Sequence, residues 1–229
     1  MALRLLVLGA TGHIGTHVLD LALARGHDVT AFVRSPRKVA RNDPRLQVIQ
    51  GSLLSRDDLA RALPGHDAVL SSIGPPPREA FRRSTLMAES AASVVAAMTT
   101  SRVKRFAVVS AAVLFPDARL RFRFFRWLLR EHARDLAAME AVVRATDLDW
   151  TIARPPRLVN GPGQSYRWRN DALPEGAWSM PFRAVAAFLV DCAESGAHTR
   201  ALIGLGSDAG AAAGAPREAP HGAGPEASS

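Results

Sequence analysis

Cysteine is almost missing from this chain of 229 residues, in which Cys192 is the only one. A single cysteine cannot form an internal disulfide or a multi-cysteine metal site, so the sequence argues against a disulfide-stapled secreted scaffold. Long apolar runs are missing as well, because none reaches the ~18 residues that a membrane span needs. The short apolar segment at residues 3–8 runs into glycines and predicts a buried strand rather than a signal peptide. We therefore expect a cytoplasmic protein without a membrane span.

Lysine is also scarce, since only Lys38 and Lys104 are found among 29 basic residues, and the formal net charge is +8. This arginine-rich balance favours anionic partners in general. It does not distinguish a dinucleotide or a flavin phosphate from nucleic acid or an anionic membrane. A Walker lysine and a Gly-x-Ser-x-Gly nucleophile elbow are absent from the sequence. We expect no metal site.

Short apolar segments alternate with helical patterns along the chain. Strands are predicted at residues 3–8, 29–33, 46–49, 68–73, 105–109, 150–153 and 201–205. Helices are predicted at residues 13–25, 55–63, 84–100, 119–145 and 181–195. This alternation is typical of a doubly wound α/β Rossmann fold, whose mostly parallel sheet is covered by helices on both faces. We expect residues 1–206 to form this one domain and the Ala-, Gly- and Pro-rich residues 207–229 to form a disordered tail.

Three glycines, Gly9, Gly12 and Gly15, stand between the first predicted strand and the first predicted helix. This spacing is typical of a dinucleotide-binding turn. The first glycine permits a tight turn, the second lets the backbone approach the pyrophosphate, and the third lets the helix pack closely on the strand. A glycine turn can also be purely structural, but its place between a strand and a helix favours dinucleotide binding.

The turn after the second predicted strand is basic. It begins at Arg34 and continues through Arg37 and Lys38, where an NAD-preferring site usually has an acidic residue for the ribose hydroxyls. A guanidinium can instead donate two parallel hydrogen bonds to a 2′-phosphate. The sequence therefore predicts NADP(H) over NAD(H), although solvated loop charges would give the same pattern.

On these residues the chain resembles the atypical short-chain dehydrogenase/reductase superfamily, in the NAD(P)H-binding branch near the NmrA-like proteins and biliverdin reductase B/flavin reductase. The resemblance spans residues 2–205, and residues 67–74 and 148–158 carry it together with the glycine turn and Arg34. It implies a cofactor site formed by Gly9, Thr11, Gly12, His13, Ile14, Gly15, Arg34, Ser52, Leu53, Ser71, Ser72, Ile73, Ser110, Pro155, Pro156, Arg157 and Leu158.

The resemblance also implies which part of the cofactor each of these residues would contact. Residues 71–73 would border the ribose and pyrophosphate, and residues 155–158 would flank the nicotinamide. Residues 52 and 53 would lie near the adenine, although many relatives have aspartate at the position of Ser52. Ser110 would lie beneath the nicotinamide and face the substrate. Strand ends of an open α/β sheet meet in one crevice, where such residues can converge.

The superfamily's usual proton donor, a Tyr-x-x-x-Lys pair, is absent, because the only tyrosine, Tyr166, has Asn170 at the lysine position. Matching a glutamate of the extended members to Glu140 places His132 at the tyrosine position. His132 is thus the candidate catalytic residue, with a solvated surface histidine as the alternative. A flavin-type acceptor can take its proton from water, so the resemblance implies an NADPH-dependent reductase of a planar flavin, quinone or tetrapyrrole. A non-catalytic NADP(H)-binding sensor of the NmrA-like kind is the rival hypothesis.

The expected partner is a small-molecule acceptor rather than nucleic acid. The basic helix predicted at residues 119–134 has three interpretations. It is an ordinary amphipathic surface helix, it forms a wall of the substrate site that attracts an anionic acceptor, or it binds another protein, a membrane or nucleic acid. The loop predicted at residues 160–176 carries Tyr166 and Trp168, with Trp178 beyond it. These aromatic rings either stack on a planar acceptor or pack the loop onto the sheet.

Overall fold

The computed structural model describes residues 1–74, 84–115 and 130–207. Its strands are β1 Arg4–Leu8, β2 Asp28–Val33, β3 Leu46–Gln50, β4 Ala68–Ser71, β5 Arg105–Val109, β6 Asp149–Arg154, β7 Arg157–Val159, β8 Tyr166–Asn170, β9 Ser179–Pro181 and β10 Ala201–Ser207. The helices within the described ranges are α1 His13–Ala24, α2 Arg56–Ala62, α3 Leu86–Thr99, α4 Arg130–Arg144 and α5 Phe182–Ser195.

Eight strands form one sheet in the order β3-β2-β1-β4-β5-β6-β10-β8. All neighbours in it are parallel except β8, which pairs antiparallel with β10. The chain moves outward from β1 to β3 and then returns to β4 on the other side of β1. This reversal is a topological switch point, where open α/β sheets bind ligands beyond the carboxyl ends of the strands. The predicted doubly wound Rossmann fold is confirmed.

The core has two layers, one on each face of the sheet. Successive strand residues point to opposite faces, so Leu5 and Val7 pack with α1 and α5, whereas Leu6 and Leu8 pack with α2, α3 and α4. Asp135 of α4 accepts hydrogen bonds from the first N–H groups of α3, at Met87 and Ala88. A carboxylate at a helix N-terminus satisfies unpaired donors and complements the helix dipole, so this contact joins α3 to α4.

Two sequence-based expectations need correction. The first concerns β3, which is not covered on both faces, because Gln47, Val48 and Gln50 are exposed on this edge strand. The second concerns residues 160–176, predicted as a loop, which contain β8. The residues that flank this segment form a separate parallel pair, β7 with β9.

Some predictions fall outside the described residues. These are the part of the basic helix at residues 119–129 and the tail at residues 208–229, although β10 runs to Ser207, the first residue of the predicted tail. The division into one domain and a disordered tail stays a prediction. None of the helices in the described ranges is both long enough and apolar enough to cross a membrane.

Candidate functional site

The glycine turn connects β1 to α1 where the backbone is tightly packed. Gly9 has φ +80°, a left-handed conformation that favours glycine, and a Cβ there would lie 2.9 Å from the carbonyl carbon of Ser72. A Cβ on Gly15 would lie 2.1 Å from the carbonyl oxygen of Gly9. The turn is closed by Gly12, whose N–H donates to the same oxygen at 2.9 Å. The backbone of β1, the turn and α1 is therefore closer together than any side chain would permit.

The amino end of α1 opens from this turn. Gly12 is the N-cap residue, and none of the described side chains caps the helix or places a carboxylate in its first turn. Thr11 and His13 are exposed beside it, while Ile14 is buried. The first N–H groups of a helix have no intrahelical partner and carry partial positive charge, so this end suits a phosphate. The geometry of the residues present thus fits a dinucleotide pyrophosphate.

The turn after β4 supports the glycine turn from the neighbouring strand. Ser71 is buried at the end of β4, and the N–H of Ser72 donates to the carbonyl oxygen of Leu8 at 3.0 Å. Ile73 is half-buried and packs against the core layer of α2 and α3. The structure therefore places residues 71–73 beside Gly9 at the switch point.

Basic and polar residues follow β2 and β3. Arg34, Arg37 and Lys38 are all exposed directly after β2, and no ion pair joins them to a carboxylate of the described residues. Ser52 is half-buried after β3, and its N–H donates to Asp58 at 2.9 Å. Leu53 packs against the core. The basic turn and residues 52 and 53 thus lie at the carboxyl ends of two neighbouring strands, on the far side of β1 from Ser110.

A buried polar cluster lies at the carboxyl ends of β5 and β6. The hydroxyl of Ser110, the residue after β5, lies 2.5 Å from Oε1 of Glu140 on α4. Arg154, the last residue of β6, donates from Nε to the same oxygen at 2.9 Å and from Nη2 to Oε2 at 2.5 Å. The guanidinium also lies over the ring of Phe115, 4.6 Å from its centroid. A bidentate pair of this kind holds both partners charged and in one geometry.

The segment after β6 forms the wall next to this cluster. Pro155 and Pro156 are buried, and the Pro155 carbonyl accepts from the N–H of Ala112 at 2.9 Å. Arg157 is exposed in β7, and Leu158 packs against the core layer of α1 and α5. Residues 110–112 and 155–158 are thus brought together at one end of the crevice.

His132 lies in the first turn of α4, half-buried. Burial lowers the pKa of its imidazole, against a smaller opposing effect of Asp135. The lowered pKa favours the neutral ring, which is a weaker proton donor than the imidazolium. Two helical turns separate it from Glu140, about 12 Å along the axis. Its catalytic role stays a prediction.

The aromatic residues of the segment predicted to cover the substrate pack onto the protein itself. Tyr166 in β8 donates to Asp191 at 2.5 Å and packs edge-on against Phe188. Burial and this hydrogen bond raise the pKa of the Tyr166 phenol well above its usual range. Trp168 contacts the ring of His198 at 4.4 Å between centroids. Of the two interpretations of these rings, packing onto the sheet is the one that these contacts favour.

The sequence interpretation did not assign Glu140 or Arg154 to the site. Both carried a signal, because Arg154 follows the apolar residues Ile152 and Ala153 at the end of β6 and Glu140 stands between Met139 and Ala141 in an apolar part of α4. Burying a charged side chain costs free energy unless the charge is paired. A charged residue in an apolar segment therefore indicates that a buried partner of opposite charge exists.

A family model described as NAD(P)H-binding matches residues 9–196, from the glycine turn almost to the last strand. The chain belongs to this NAD(P)H-binding family. The match includes the glycine turn, the basic turn and the buried cluster of Ser110, Glu140 and Arg154. The resemblance expected from the sequence is confirmed.

One of the curated proteins similar to this chain is a divinyl chlorophyllide a 8-vinyl-reductase of Zea mays. It is 31% identical over 207 residues, which are 82% of this chain and 50% of that protein. The chain spans between a fifth and about half of the length of the curated relatives it matches. This partial coverage does not extend the activities of those whole proteins to this chain.

Solved structures share the fold over nearly the whole chain. A Veillonella parvula short-chain dehydrogenase/reductase in complex with NADP has TM-score 0.72 and 23% identity, covering 91% of this chain and 96% of that one. A Streptococcus pneumoniae protein provisionally assigned as an NADH-flavin reductase has TM-score 0.70 and 24% identity, covering 90% and 100%. At such identities the likeness establishes the Rossmann fold alone.

Proposed function

We propose that this protein is an NADPH-dependent reductase that passes a hydride to a planar conjugated acceptor of the flavin, quinone or linear tetrapyrrole type. The observation that carries the proposal is the glycine turn, a backbone cradle packed on Ser72 with the amino end of α1 opening from it. Membership of the NAD(P)H-binding family supports the cofactor class. The names of a chlorophyllide reductase and a flavin reductase among the similar proteins support a conjugated ring as acceptor.

In this proposal different residues of the crevice contact different parts of the cofactor. The backbone at residues 11–15 binds the pyrophosphate, because the glycine turn and the first residues of α1 supply N–H groups there and the helix dipole adds partial positive charge. Residues 71–73 border the adjoining ribose, and residues 52 and 53 contact the adenine. Arg34 pairs with the 2′-phosphate. Ser110 and residues 155–158 hold the nicotinamide end, next to the Glu140–Arg154 pair.

Bound NADPH supplies the hydride, which reduces the acceptor by two electrons and leaves NADP⁺, while the acceptor takes a proton from water. The chain contributes orientation and a partly dry crevice. The usual tyrosine acid has no counterpart in this sequence, and Tyr166 is committed to Asp191 with a raised pKa. An acceptor whose reduced form is protonated by solvent suits these residues better than a ketone, which needs a positioned acid.

The proposal is tested by following NADPH oxidation at 340 nm with the purified protein, against riboflavin 5′-phosphate, menadione and biliverdin. We expect turnover with at least one of these acceptors, and tight NADPH binding measured in parallel. Binding without turnover across the panel would contradict the reductase and favour the non-catalytic sensor.

Arg34→Ala is expected to weaken NADPH binding about tenfold or more while leaving NADH binding unchanged, since a charge-assisted bidentate contact contributes about 1.5–3 kcal/mol. The measurement is the ratio of the two dissociation constants, which a general loss of folding would not alter. Arg102→Ala is a matched control, because Arg102 is also exposed but precedes β5, at the amino ends of the parallel strands rather than at their carboxyl ends. An unchanged ratio in Arg34→Ala would show that the 2′-phosphate assignment is wrong.

A further inference from the structure

The side chain of Ser110 has only one direction in which to donate a hydrogen bond. Its hydroxyl oxygen lies 2.5 Å from Oε1 of Glu140, within a cluster in which Ser110 is 6% exposed. Both carboxylate oxygens of Glu140 also accept from Arg154. A carboxylate in a bidentate pair with a guanidinium is ionised and can only accept hydrogen bonds. The hydroxyl hydrogen of Ser110 therefore points at Glu140.

This arrangement sets what Ser110 offers to the crevice. A serine hydroxyl has one hydrogen and two acceptor lone pairs, and the hydrogen is already used. What remains is an acceptor. A ligand carbonyl placed against Ser110 would bring two lone-pair-bearing oxygens together, whereas a ligand N–H would complete the hydrogen bond. The position thus favours a ligand group that donates a hydrogen bond over one that accepts it. The Glu140–Arg154 pair is the cause, because it takes up the only hydrogen that Ser110 can donate.

We infer that Ser110 accepts a hydrogen bond from a ring N–H of the electron acceptor, so that the protein selects conjugated imides and lactams over rings that carry only carbonyl oxygens. The inference rests on the proposed function for the identity of the occupant, and on the placement of Ser110 beside the nicotinamide end of the crevice. Ser110 is a specificity-determining residue in this scheme. Glu140 and Arg154 are positioning residues that act through it.

The test compares the binding of riboflavin and of N3-methylriboflavin in the presence of NADP⁺, followed by quenching of flavin fluorescence. The two ligands differ at the imide nitrogen, where one has a hydrogen and the other a methyl group. We expect the wild-type protein to bind riboflavin about tenfold more tightly than N3-methylriboflavin. The methylated flavin loses one hydrogen bond and leaves the hydroxyl oxygen of Ser110 without a donor. In Ser110→Ala this ratio is expected to fall close to one.

Ser90→Ala is the matched control for this substitution. Ser90 is a buried serine of α3, 1% exposed, and its hydroxyl has no hydrogen-bond partner among the described residues. Its removal is expected to leave the wild-type ratio intact. A wild-type ratio near one, or a high ratio that persists in Ser110→Ala, would overturn the inference. So would a loss of NADP⁺ affinity in Ser110→Ala at unchanged ratio, because Ser110 would then accept from the carboxamide of the cofactor.

Glu140→Gln tests whether Glu140 is the reason that Ser110 only accepts a hydrogen bond from a ligand. A glutamine that keeps its oxygen on Arg154 turns its amide N–H₂ toward Ser110, which releases the serine hydrogen to the crevice. The ratio of the two flavins is expected to fall in a variant that retains the wild-type circular dichroism spectrum. If Glu140→Gln does not fold, Ser110→Ala decides the matter. Because the readout is binding, a protein that binds with the expected ratio but oxidises no NADPH would refute the reductase and leave this inference standing.

Discussion

Replacing Glu140 with alanine is expected to lower the free energy of unfolding by about 3–5 kcal/mol, because it leaves the guanidinium of Arg154 buried without its carboxylate. The side chains of Arg154 and Glu140 are only 9% and 4% exposed, so the guanidinium loses its partner away from bulk solvent. The substitution also removes the acceptor of the Ser110 hydroxyl. Urea denaturation followed by circular dichroism measures the change.

Asp147→Ala is the matched control for that loss. Its carboxylate pairs with Arg200 at 3.4 Å, but the two side chains are 99% and 52% exposed. An exposed pair contributes at most about 1 kcal/mol, so the control is expected to be nearly neutral. The double variant Glu140→Met, Arg154→Met is expected to be more stable than Glu140→Ala, because it leaves no unpaired charge. If Glu140→Ala costs no more than Asp147→Ala, the buried pair does not have the role given to it here.

Gly15→Ala is expected to weaken NADPH binding about a hundredfold, the equivalent of two misplaced hydrogen bonds to a charged phosphate at about 1.5 kcal/mol each. The added Cβ would lie 2.1 Å from the carbonyl oxygen of Gly9 and 2.7 Å from the Cα of Ala10. Both are backbone atoms, so the turn itself has to open and its N–H groups move. Fluorescence titration with NADPH measures the effect.

Gly163→Ala provides the comparison, because a Cβ there meets only Pro181 Cγ at 3.6 Å, an ordinary contact. It is expected to bind NADPH as the wild type does. The overpacking in Gly15→Ala is also expected to cost about 1–3 kcal/mol of stability, which thermal denaturation separates from the binding effect. Unchanged NADPH affinity in Gly15→Ala would mean that the cofactor does not use this turn.

Much of the fold followed from local pattern. Continuous apolar segments such as that of β1 predicted strands buried between two layers, and all seven predicted strands and the five predicted helices have counterparts among the described elements. The glycine turn was predictable for the same reason, since its spacing and its place between β1 and α1 are properties of a short stretch of chain. Arg34 was found from its position directly after β2.

Other features depended on which elements become neighbours. The exposure of β3 follows from its place at the edge of the sheet, where it pairs with β2 alone, although Gln47 and Gln50 already make it less apolar than β1. Aromatic residues alternate with arginines over residues 166–169 of β8, but the segment was predicted as a loop, and the strand forms where its backbone pairs with the distant strand β10.

The sequence by itself determined the fold class and the places of the glycine turn and of the basic turn at Arg34, because each depends on residues close together in the chain. Only the tertiary structure decided what the other end of the crevice contains. Ser110, Glu140 and Arg154 come from β5, α4 and β6, and their hydrogen bonds form because the parallel pairing of β5 with β6 brings two strand ends under one helix. A buried charge requires a partner, but the sequence does not say which one, since that depends on the distances that folding creates.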